Sequence, residues 1–265
     1  MWCGRLGETP AFTHRPSRVH YAASLMKVPV MVAAYRAHER GDLDLDEPVV
    51  VRHEVASALT GTFRADRDYD NDEEPWHLAG KRASLRWLCR RMIVTSSNLA
   101  SNMLLGQLGL DAVAAVTPPG FAVRRQIGDT AAEEAGLTNT VTVAATADLL
   151  IGLATGSAAG PAACREMLGV LAAQQHRDEI PAGLPPGTHV GNKTGWTDAV
   201  RHDAALVFPG DAPPYALVVC TTGLPDQDAR TVIRDVAAAS WADRHDLGGP
   251  GPAAGDTDWR PDARR

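Results

Sequence analysis

Cysteine, basic charge and long apolar runs are all scarce in this chain of 265 residues. Its four cysteines, at positions 3, 89, 164 and 220, have neither the spacing of a metal site nor that of a redox motif. A net charge of −6 argues against nucleic acid as a partner, because nucleic-acid binding needs a basic face. No stretch approaches the about 18 apolar residues of a membrane-spanning helix. With 45% hydrophobic and 22% charged residues, the chain is close to the averages of soluble proteins, so its composition fits a globular enzyme.

The familiar motifs of zinc, phosphate and elbow-type serine hydrolase sites are also missing. His53-Glu54-Val55-Ala56-Ser57 departs from the H-E-x-x-H zinc pattern at its last residue, and neither a Gly-x-Ser-x-Gly elbow nor a phosphate loop occurs. The acids of 66–74 alternate as in a calcium loop, but Asn71 and His77 stand where that loop needs glycine and glutamate. We therefore predict no metal and no cofactor, and we interpret 66–74 as a solvated insertion at the rim of a cleft.

The chain does contain a serine and a lysine at helical spacing, in the string Ser24-Leu25-Met26-Lys27. The apolar run that follows predicts a helix that begins at Ser24, and residues three apart share a helical face. The start of a helix also offers unpaired N–H groups that suit a developing oxyanion. Lys27 can take the proton of Ser24 if burial and a nearby positive charge, for which Lys193 is a candidate, lower its pKa. Taken alone, so short a string fits a surface lysine on an amphipathic helix better.

The second string, Ser96-Ser97-Asn98, is a polar cluster between apolar segments. It predicts the N-cap of a helix that runs through Leu105, and also a corner that is pushed into a cleft. The two interpretations are compatible. In such a corner Ser96 can relay a proton, and Asn98 can form a hydrogen bond with a substrate amide. Asn102, inside the following helix, is expected to hold nearby backbone.

The third string, Lys193-Thr194-Gly195, ends the first strand of a predicted antiparallel meander over 188–195, 204–208 and 215–221. A lysine and a threonine on a strand that faces a cleft can bind a substrate carboxylate, and the glycine leaves room for a ligand beside the backbone. A plain transition from strand to turn explains this string as well. A closing amphipathic helix is predicted over 226–243.

In this order, the three strings resemble the motifs of class A β-lactamase-like serine hydrolases, a superfamily that includes the penicillin-binding proteins. The likeness covers about residues 5 to 243 and includes Glu134–Thr142, which resembles the exit from the family's Ω-shaped loop. It implies a monomeric enzyme with a small-molecule substrate, a β-lactam or a related amide or ester that carries a carboxylate, which is opened through an acyl-enzyme. By this likeness, Ser24 is the nucleophile, Lys27 its base and Ser96 the proton shuttle. Asn98 contacts the side-chain amide of the substrate, and Lys193 and Thr194 contact its carboxylate. The N–H groups of Ser24 and Trp196 form the oxyanion hole.

Two features depart from the family's pattern. Ser97 stands where β-lactamases usually carry an aspartate that helps to hold the corner. The loop 124–134 also lacks the Glu-x-x-Leu-Asn context of the glutamate that activates the deacylating water, and Asp129 is the nearest candidate for that task. Acylation is therefore better supported than turnover. A penicillin-binding receptor that acylates once, and an esterase or D-alanyl-D-alanine peptidase, remain as alternatives.

The resemblance implies an α+β fold of two lobes. We predict one domain over 1–245, with a helical lobe at about 24–185, a sheet lobe from 5–23 and 186–245, and a disordered tail over 246–265. Only 23 residues precede Ser24, fewer than the family's first helix and two strands require. The start lacks the apolar region of a signal peptide, so the chain as written is expected in the cytoplasm, or in the cell envelope if the gene starts upstream.

Overall fold

Helices and strands follow one another along residues 1–248, the part of the chain that this computed structural model describes. The α-helices in that part are α1 Lys27–Arg40, α2 Glu74–His77, α3 Leu85–Val94, α4 Asn98–Leu108, α5 Leu110–Ala114, α6 Thr130–Glu134, α7 Val143–Thr155, α8 Pro161–Ala172 and α9 Asp226–Ala242. The strands are β1 Trp2–Arg5, β2 Phe12–Thr13, β3 His20–Tyr21, β4 Pro48–Val50, β5 Glu54–Ala56, β6 Thr62–Arg64, β7 Arg82–Ser84, β8 Thr140–Val141, β9 His189–Trp196, β10 Val200–Phe208 and β11 Tyr215–Thr222. Two 3₁₀ turns cover Ala23–Met26 and Ile180–Gly183.

Five strands form an antiparallel sheet in the order β2-β1-β11-β10-β9. Side chains alternate between the two faces of β10: Ala204 and Leu206 pack with the helical lobe, whereas Ala205 and Val207 pack with residues of α9. Because both faces are covered there, residues 204–208 of the strand form a continuous apolar run. This arrangement places β9, with Lys193 opposite Ala204, at the edge of the sheet.

Helix α1 forms the centre of the helical lobe, and every residue from Lys27 to Tyr35 is buried. The regular helix begins at Lys27 and not at Ser24, because residues 23–26 form a 3₁₀ turn that starts from Ala23 at a φ of +44°. Pro29 is the third residue of α1, where a missing N–H is tolerated. Gly41, at a φ of +77°, ends the helix in the left-handed region.

The predicted α+β class is confirmed. The meander and closing helix lie within a few residues of their predicted bounds, although β10 begins at Val200 and not at 204. Residues 1–23 supply two strands of the large sheet. The single domain over 1–245 stays a prediction, and the predicted tail 246–265 lies outside the described residues from 249 onward. Within 1–248, no helix combines the length and the apolar character of a membrane span.

Candidate active site

A cleft of about 560 Å³ opens between the two lobes. Its walls include the 3₁₀ turn at Ser24, the start of α4 at Asn98, the end of β9 at Trp196 and the loop residue Ile127. Lys27, Ser96, Lys193 and Thr194 lie fully buried directly behind these walls. The fold therefore brings the three strings together, although they are about 70 and 100 residues apart in the sequence.

Ser24 sits in the first turn of the 3₁₀ segment, with its side chain at the surface of the cleft. The first N–H groups of a helical turn have no acceptor within the turn, and Leu25 N is bonded to Ala22 O at 3.1 Å, so Ser24 N is the donor left to a ligand. Strand β9 passes close to both nitrogen atoms, because a Cβ built on Gly195 would lie 3.0 Å from Ser24 N and 3.1 Å from Leu25 N. Only glycine lets the two backbone segments approach this closely without displacement.

Lys27 is held by the corner between α3 and α4. Its Nζ donates to Ser96 O at 2.6 Å and to Asn98 Oδ1 at 2.8 Å, and it lies 3.1 Å from Ser96 Oγ. Burial lowers the pKa of Lys27 well below its usual value, the Lys193 ammonium lowers it further, and Asp70 raises it. A neutral amine has two N–H donors, which Ser96 O and Asn98 Oδ1 accept, and one lone pair left to take a proton.

Ser96 links the two buried lysines. Its Oγ lies 3.1 Å from Lys27 Nζ and accepts a hydrogen bond from Lys193 Nζ at 3.0 Å. Its backbone has a φ of +60°, and non-glycine residues in that region are concentrated at functional sites. Ser97 follows as the N-cap of α4 and accepts from Ala100 N at 3.1 Å, which confirms the predicted cap.

Lys193 is the second buried cation of the site. Its Nζ also donates to Thr194 O at 2.7 Å. Burial lowers the pKa of Lys193, although the carboxyl groups of Asp203 and Glu179 behind β9 oppose that shift. The hydroxyl of Thr194 is buried and has no hydrogen-bond partner among residues 1–248. An unpaired buried hydroxyl is costly, so a ligand that bonds to it would relieve that cost.

Trp196 and Arg201 form the part of the cleft beyond Gly195. The Arg201 guanidinium lies over the Trp196 ring, 5.6 Å from its centroid, and is paired with Glu179 and Asp226. His176 packs edge-on against the same ring, with centroids 4.9 Å apart. Arg201 is not predicted from the sequence, because it belongs to no recognisable motif. It reaches the cleft because β10 pairs it with Trp196 on the neighbouring strand.

Asn102 holds the loop that faces Ser24, as expected from the sequence. Its Nδ2 donates to Ile127 O at 2.8 Å, and its Oδ1 accepts from Ile127 N at 2.9 Å. The peptide groups on both sides of Ile127 are therefore fixed from within α4, and Ile127, which packs partly against the core, is one of the residues that line the cleft. The wall of the cleft is therefore apolar at Ile127.

Asp129 lies in the same loop, but it is buried and is not among the residues that line the cleft. Its carboxylate caps α6 by accepting from Ala132 N at 3.2 Å, and it also accepts from Ser57 Oγ and Ala58 N. These contacts bind the loop to residues 57–58. The role of Asp129 in activating water stays a prediction.

The acidic segment 66–74 reaches the cleft rim, but it is not a solvated insertion throughout. Asp72 is buried and accepts hydrogen bonds from Arg91 and Thr95, both of which precede the Ser96 corner. Asp70 accepts from Asn98 N at 2.9 Å and from Leu99 N at 2.8 Å. The sequence alone does not show which carboxylates of this segment are bonded and which are exposed, because the bonding partners lie about 20 to 30 residues away.

The assembled groups can carry out acyl transfer. A serine lies in the first turn of a 3₁₀ segment, and a buried amine with a lowered pKa shares one hydroxyl with a second amine. Nucleophile, base, relay and electrophilic donors are the parts that such a reaction needs.

Comparisons with known proteins identify a family for this chain. The profile of a family described as "Beta-lactamase enzyme family" matches residues 1–243. A β-lactamase of Streptomyces lavendulae is 32% identical over 151 residues, which are 51% of this chain and 47% of the relative. The chain therefore spans about half the length of the curated relative that it matches.

Solved structures extend the likeness to the fold. A β-lactamase from Sphaerobacter thermophilus superposes with a TM-score of 0.75 at 29% identity, over 91% of this chain and 89% of that protein. A mutant of PBP-A, described as an acyl-enzyme complex with penicillin G, superposes with a TM-score of 0.74 at 21% identity, over 91% and 88% of the two chains. At that identity the second likeness concerns the fold alone.

Proposed function

Because this chain belongs to the Beta-lactamase enzyme family, we propose that it opens the amide bond of a β-lactam through an acyl-enzyme on Ser24. The observation that carries this proposal is the position of Ser96 Oγ, 3.1 Å from Lys27 Nζ and 3.0 Å from Lys193 Nζ. A hydroxyl shared by two fully buried amines is expensive to build. It is useful where a proton must move between a nucleophile and a leaving nitrogen.

In the proposed acylation, neutral Lys27 takes the proton of Ser24 as Oγ attacks the carbonyl carbon. The N–H groups of Ser24 and Trp196 stabilise the oxyanion that forms. When the C–N bond breaks, the Ser96 hydroxyl delivers its proton to the leaving nitrogen and recovers one from the Lys27 ammonium. The products of this step are an ester on Ser24 and a neutral amine whose new N–H carries the proton that left Ser24. Water then hydrolyses the ester and frees the serine.

Substrate binding is proposed to use the edge of β9. Lys193 would attract the carboxylate of the substrate, and the Thr194 hydroxyl, which lacks a partner within residues 1–248, would donate to it. Gly195 leaves room for the ligand beside the strand, and Asn98 would meet the side-chain amide with the hydrogen-bonding capacity that Lys27 and Tyr69 leave free.

A second function, acylation without turnover, is favoured by the apolar wall at Ile127. Hydrolysis of the ester needs a base that activates water, and geometry decides whether a carboxylate can serve. Asp129 is bound to Ser57 and Ala58, away from the residues that line the cleft. A penicillin-binding receptor or sensor would have these features.

We expect that wild-type protein gains the mass of one penicillin G molecule and that Ser24→Ala gains none, because only Ser24 supplies the attacking oxygen. The measurement is intact-protein mass against time, with exposed Ser17→Ala as a control that still labels. Labelling of Ser24→Ala would disprove the assignment. An adduct that decays with product release identifies a β-lactamase, and one that persists for hours identifies the receptor. A wild type that stays unlabelled would move the tests to simple esters and D-Ala-D-Ala peptides.

Gly195→Ala is expected to lower the acylation rate by about 10- to 100-fold, because small misplacements of a reacting group cost that much. The new Cβ would press on the backbone N atoms of Ser24 and Leu25 at 3.0 and 3.1 Å. Gly191→Ala is the matched control, since it adds a Cβ to the same strand 3.3 Å from Leu171 Cβ and away from Ser24. Equal acylation rates for the two variants would contradict the proposed geometry.

A further inference from the structure

The corner at 95–98 needs an external anchor. Ser96 adopts a left-handed φ of +60°, and the N-terminus of α4 begins only two residues later. The first N–H groups of α4 have no acceptors within the helix, and a conformation of this kind persists only where its surroundings impose it. Ser97 satisfies Ala100 N, which leaves the N–H groups of Asn98 and Leu99 to other partners.

A carboxylate from a different loop fills those positions. Asp70 Oδ1 accepts from Asn98 N at 2.9 Å, and Oδ2 accepts from Leu99 N at 2.8 Å and from Ser97 Oγ at 3.3 Å. The Trp76 Nε1–H donates to the same Oδ2 at 2.9 Å and so holds the carboxylate from behind. A negative charge at the N-terminus of an eleven-residue helix is also stabilised by the helix dipole.

The same loop also orients the side chain of Asn98. Its Nδ2 donates to Tyr69 O, while its Oδ1 accepts from Lys27 Nζ at 2.8 Å. Asp72, two residues beyond Asp70, is tied to Arg91 and Thr95. Residues 69–72 therefore hold the corner from both sides, and a shift of this loop would move a partner of Lys27.

We propose that Asp70 is the positioning residue of the Ser96–Asn98 corner and supplies, from a neighbouring loop, the carboxylate that position 97 lacks. This inference rests on the proposed function for its kinetic consequence, but its structural part stands on the contacts of Asp70 alone. Ser97 Oγ donates to Asp70 Oδ2 at 3.3 Å. A carboxylate at position 97 would place a second negative charge beside Asp70, and the two would repel each other, so the corner accommodates one carboxylate here and not two.

Asp70 also acts on Lys27 through its charge. The charged and titratable groups around this part of the site include Lys193 on β9, Asp70 and Asp72 on their loop, Arg91 on α3, and His176, which is bonded to Thr95 O. Burial and Lys193 lower the pKa of Lys27, whereas Asp70 raises it. Without the Asp70 charge, the pKa of Lys27 falls further, and the acidic limb of the acylation profile moves to lower pH. A loosened corner alone would slow acylation without moving that limb.

The test is a cycle of Asp70→Asn, Ser97→Asp and the double variant, with penicillin G acylation followed by intact mass across pH. Each single variant is expected to lose about 10- to 100-fold in rate, by removing a charged hydrogen-bond partner or by opposing two carboxylates. Asp70→Asn should also move the acidic limb to lower pH. The double variant, which has its one carboxylate on position 97, should recover most of the rate. Asp66→Asn, on the same loop but bonded to Asp68 N, is the control and should keep the wild-type rate.

A Ser97→Asp variant as fast as wild type, or a double variant no faster than the slower single one, would overturn the proposal. Thermal melting of the four proteins separates this result from a failure of the proposed function. If wild type is not labelled at all, the function fails, and the melts still decide whether positions 70 and 97 are coupled. The proposal requires a smaller loss of Tm in the double variant than in Ser97→Asp; a loss equal to the sum of the single losses refutes it.

Discussion

Replacing Lys27 by alanine is expected to slow acylation of Ser24 by about 10²- to 10⁴-fold, the usual contribution of a positioned base. The variant keeps the serine and the N–H groups beside it, so substrate binds but the hydroxyl is not activated. Lys27→Arg should be nearly as slow, because a guanidinium keeps the positive charge but cannot release its proton to become a base. The measurement is the acylation rate at saturating penicillin G.

The three lysines of this chain provide a matched control. Lys27 and Lys193 are fully buried, whereas Lys81 is exposed, so Lys81→Ala should acylate at the wild-type rate. Acylation by wild type should fall as the pH drops, when Lys27 gains a proton, and on the alkaline side, when Lys193 loses the charge that attracts the carboxylate. A Lys27→Arg variant as fast as wild type would show that charge, and not basicity, is the contribution of Lys27.

Replacing Ile127 by glutamate is expected to shorten the lifetime of the Ser24 adduct by about 100-fold or more, within the range of general-base catalysis. Asn102 fixes the backbone on both sides of position 127, and the side chain at this position lines the cleft with Ser24. A carboxylate there can activate water against the ester. The measurement is the decay of the penicillin G adduct by intact mass.

Ile127→Gln is the matched control, because it has the size and polarity of the glutamate without its basicity, and its adduct should persist much longer than that of Ile127→Glu. Equal lifetimes for the two variants would place the water elsewhere. Asp129→Asn tests the role predicted from the sequence. If the adduct of this variant lives longer than the adduct of wild type, the base is Asp129. An unchanged lifetime would leave Asp129 as the residue that binds its loop to Ser57 and Ala58.

The sequence identifies the proposed reacting groups of the candidate site, but it does not identify the residues that position them. Ser24, Lys27, Ser96 and Lys193 belong to short strings whose spacing has a chemical reason, and the fold brings them together. Lysine is seldom fully buried in proteins, yet two of the three lysines of this chain are buried in the same place. Such an arrangement is typical of a functional site. Their motifs could be identified without any knowledge of the tertiary structure.

Asp70 and Ile127 could not be identified in this way. Asp70 accepts hydrogen bonds from N–H groups at the start of α4, about 28 residues away in the sequence. Its own segment contains no feature that distinguishes it from the exposed Asp68. Ile127 matters because Asn102 holds its backbone, and a side-chain motif does not record such a contact. Backbone contacts between distant segments follow from tertiary packing, which a local pattern does not contain.

The start of β10 shows the same limit at the level of secondary structure. Apolar periodicity predicts a strand from 204, but the strand begins at Val200 with three buried polar residues. Arg201 pairs with Glu179, His202 bonds to Tyr21 O at 2.9 Å, and Asp203 accepts from Asn192 Nδ2 at 3.1 Å. Polar residues whose partners are all internal are compatible with a central strand, although their composition indicates a loop.

The pairing of β1 with β11 has a consequence for the order in which the molecule assembles. Trp2 lies opposite Val218, so the sheet joins the beginning of the chain to a segment synthesised more than 200 residues later. Contacts of such long range close slowly, because the entropy of the intervening loop must be overcome before they form. On the ribosome, the segments that carry Lys27 and Ser96 emerge before β9, β10 and β11. Lys193 can therefore meet them only near the end of synthesis, and the candidate active site is among the last parts of the protein to form.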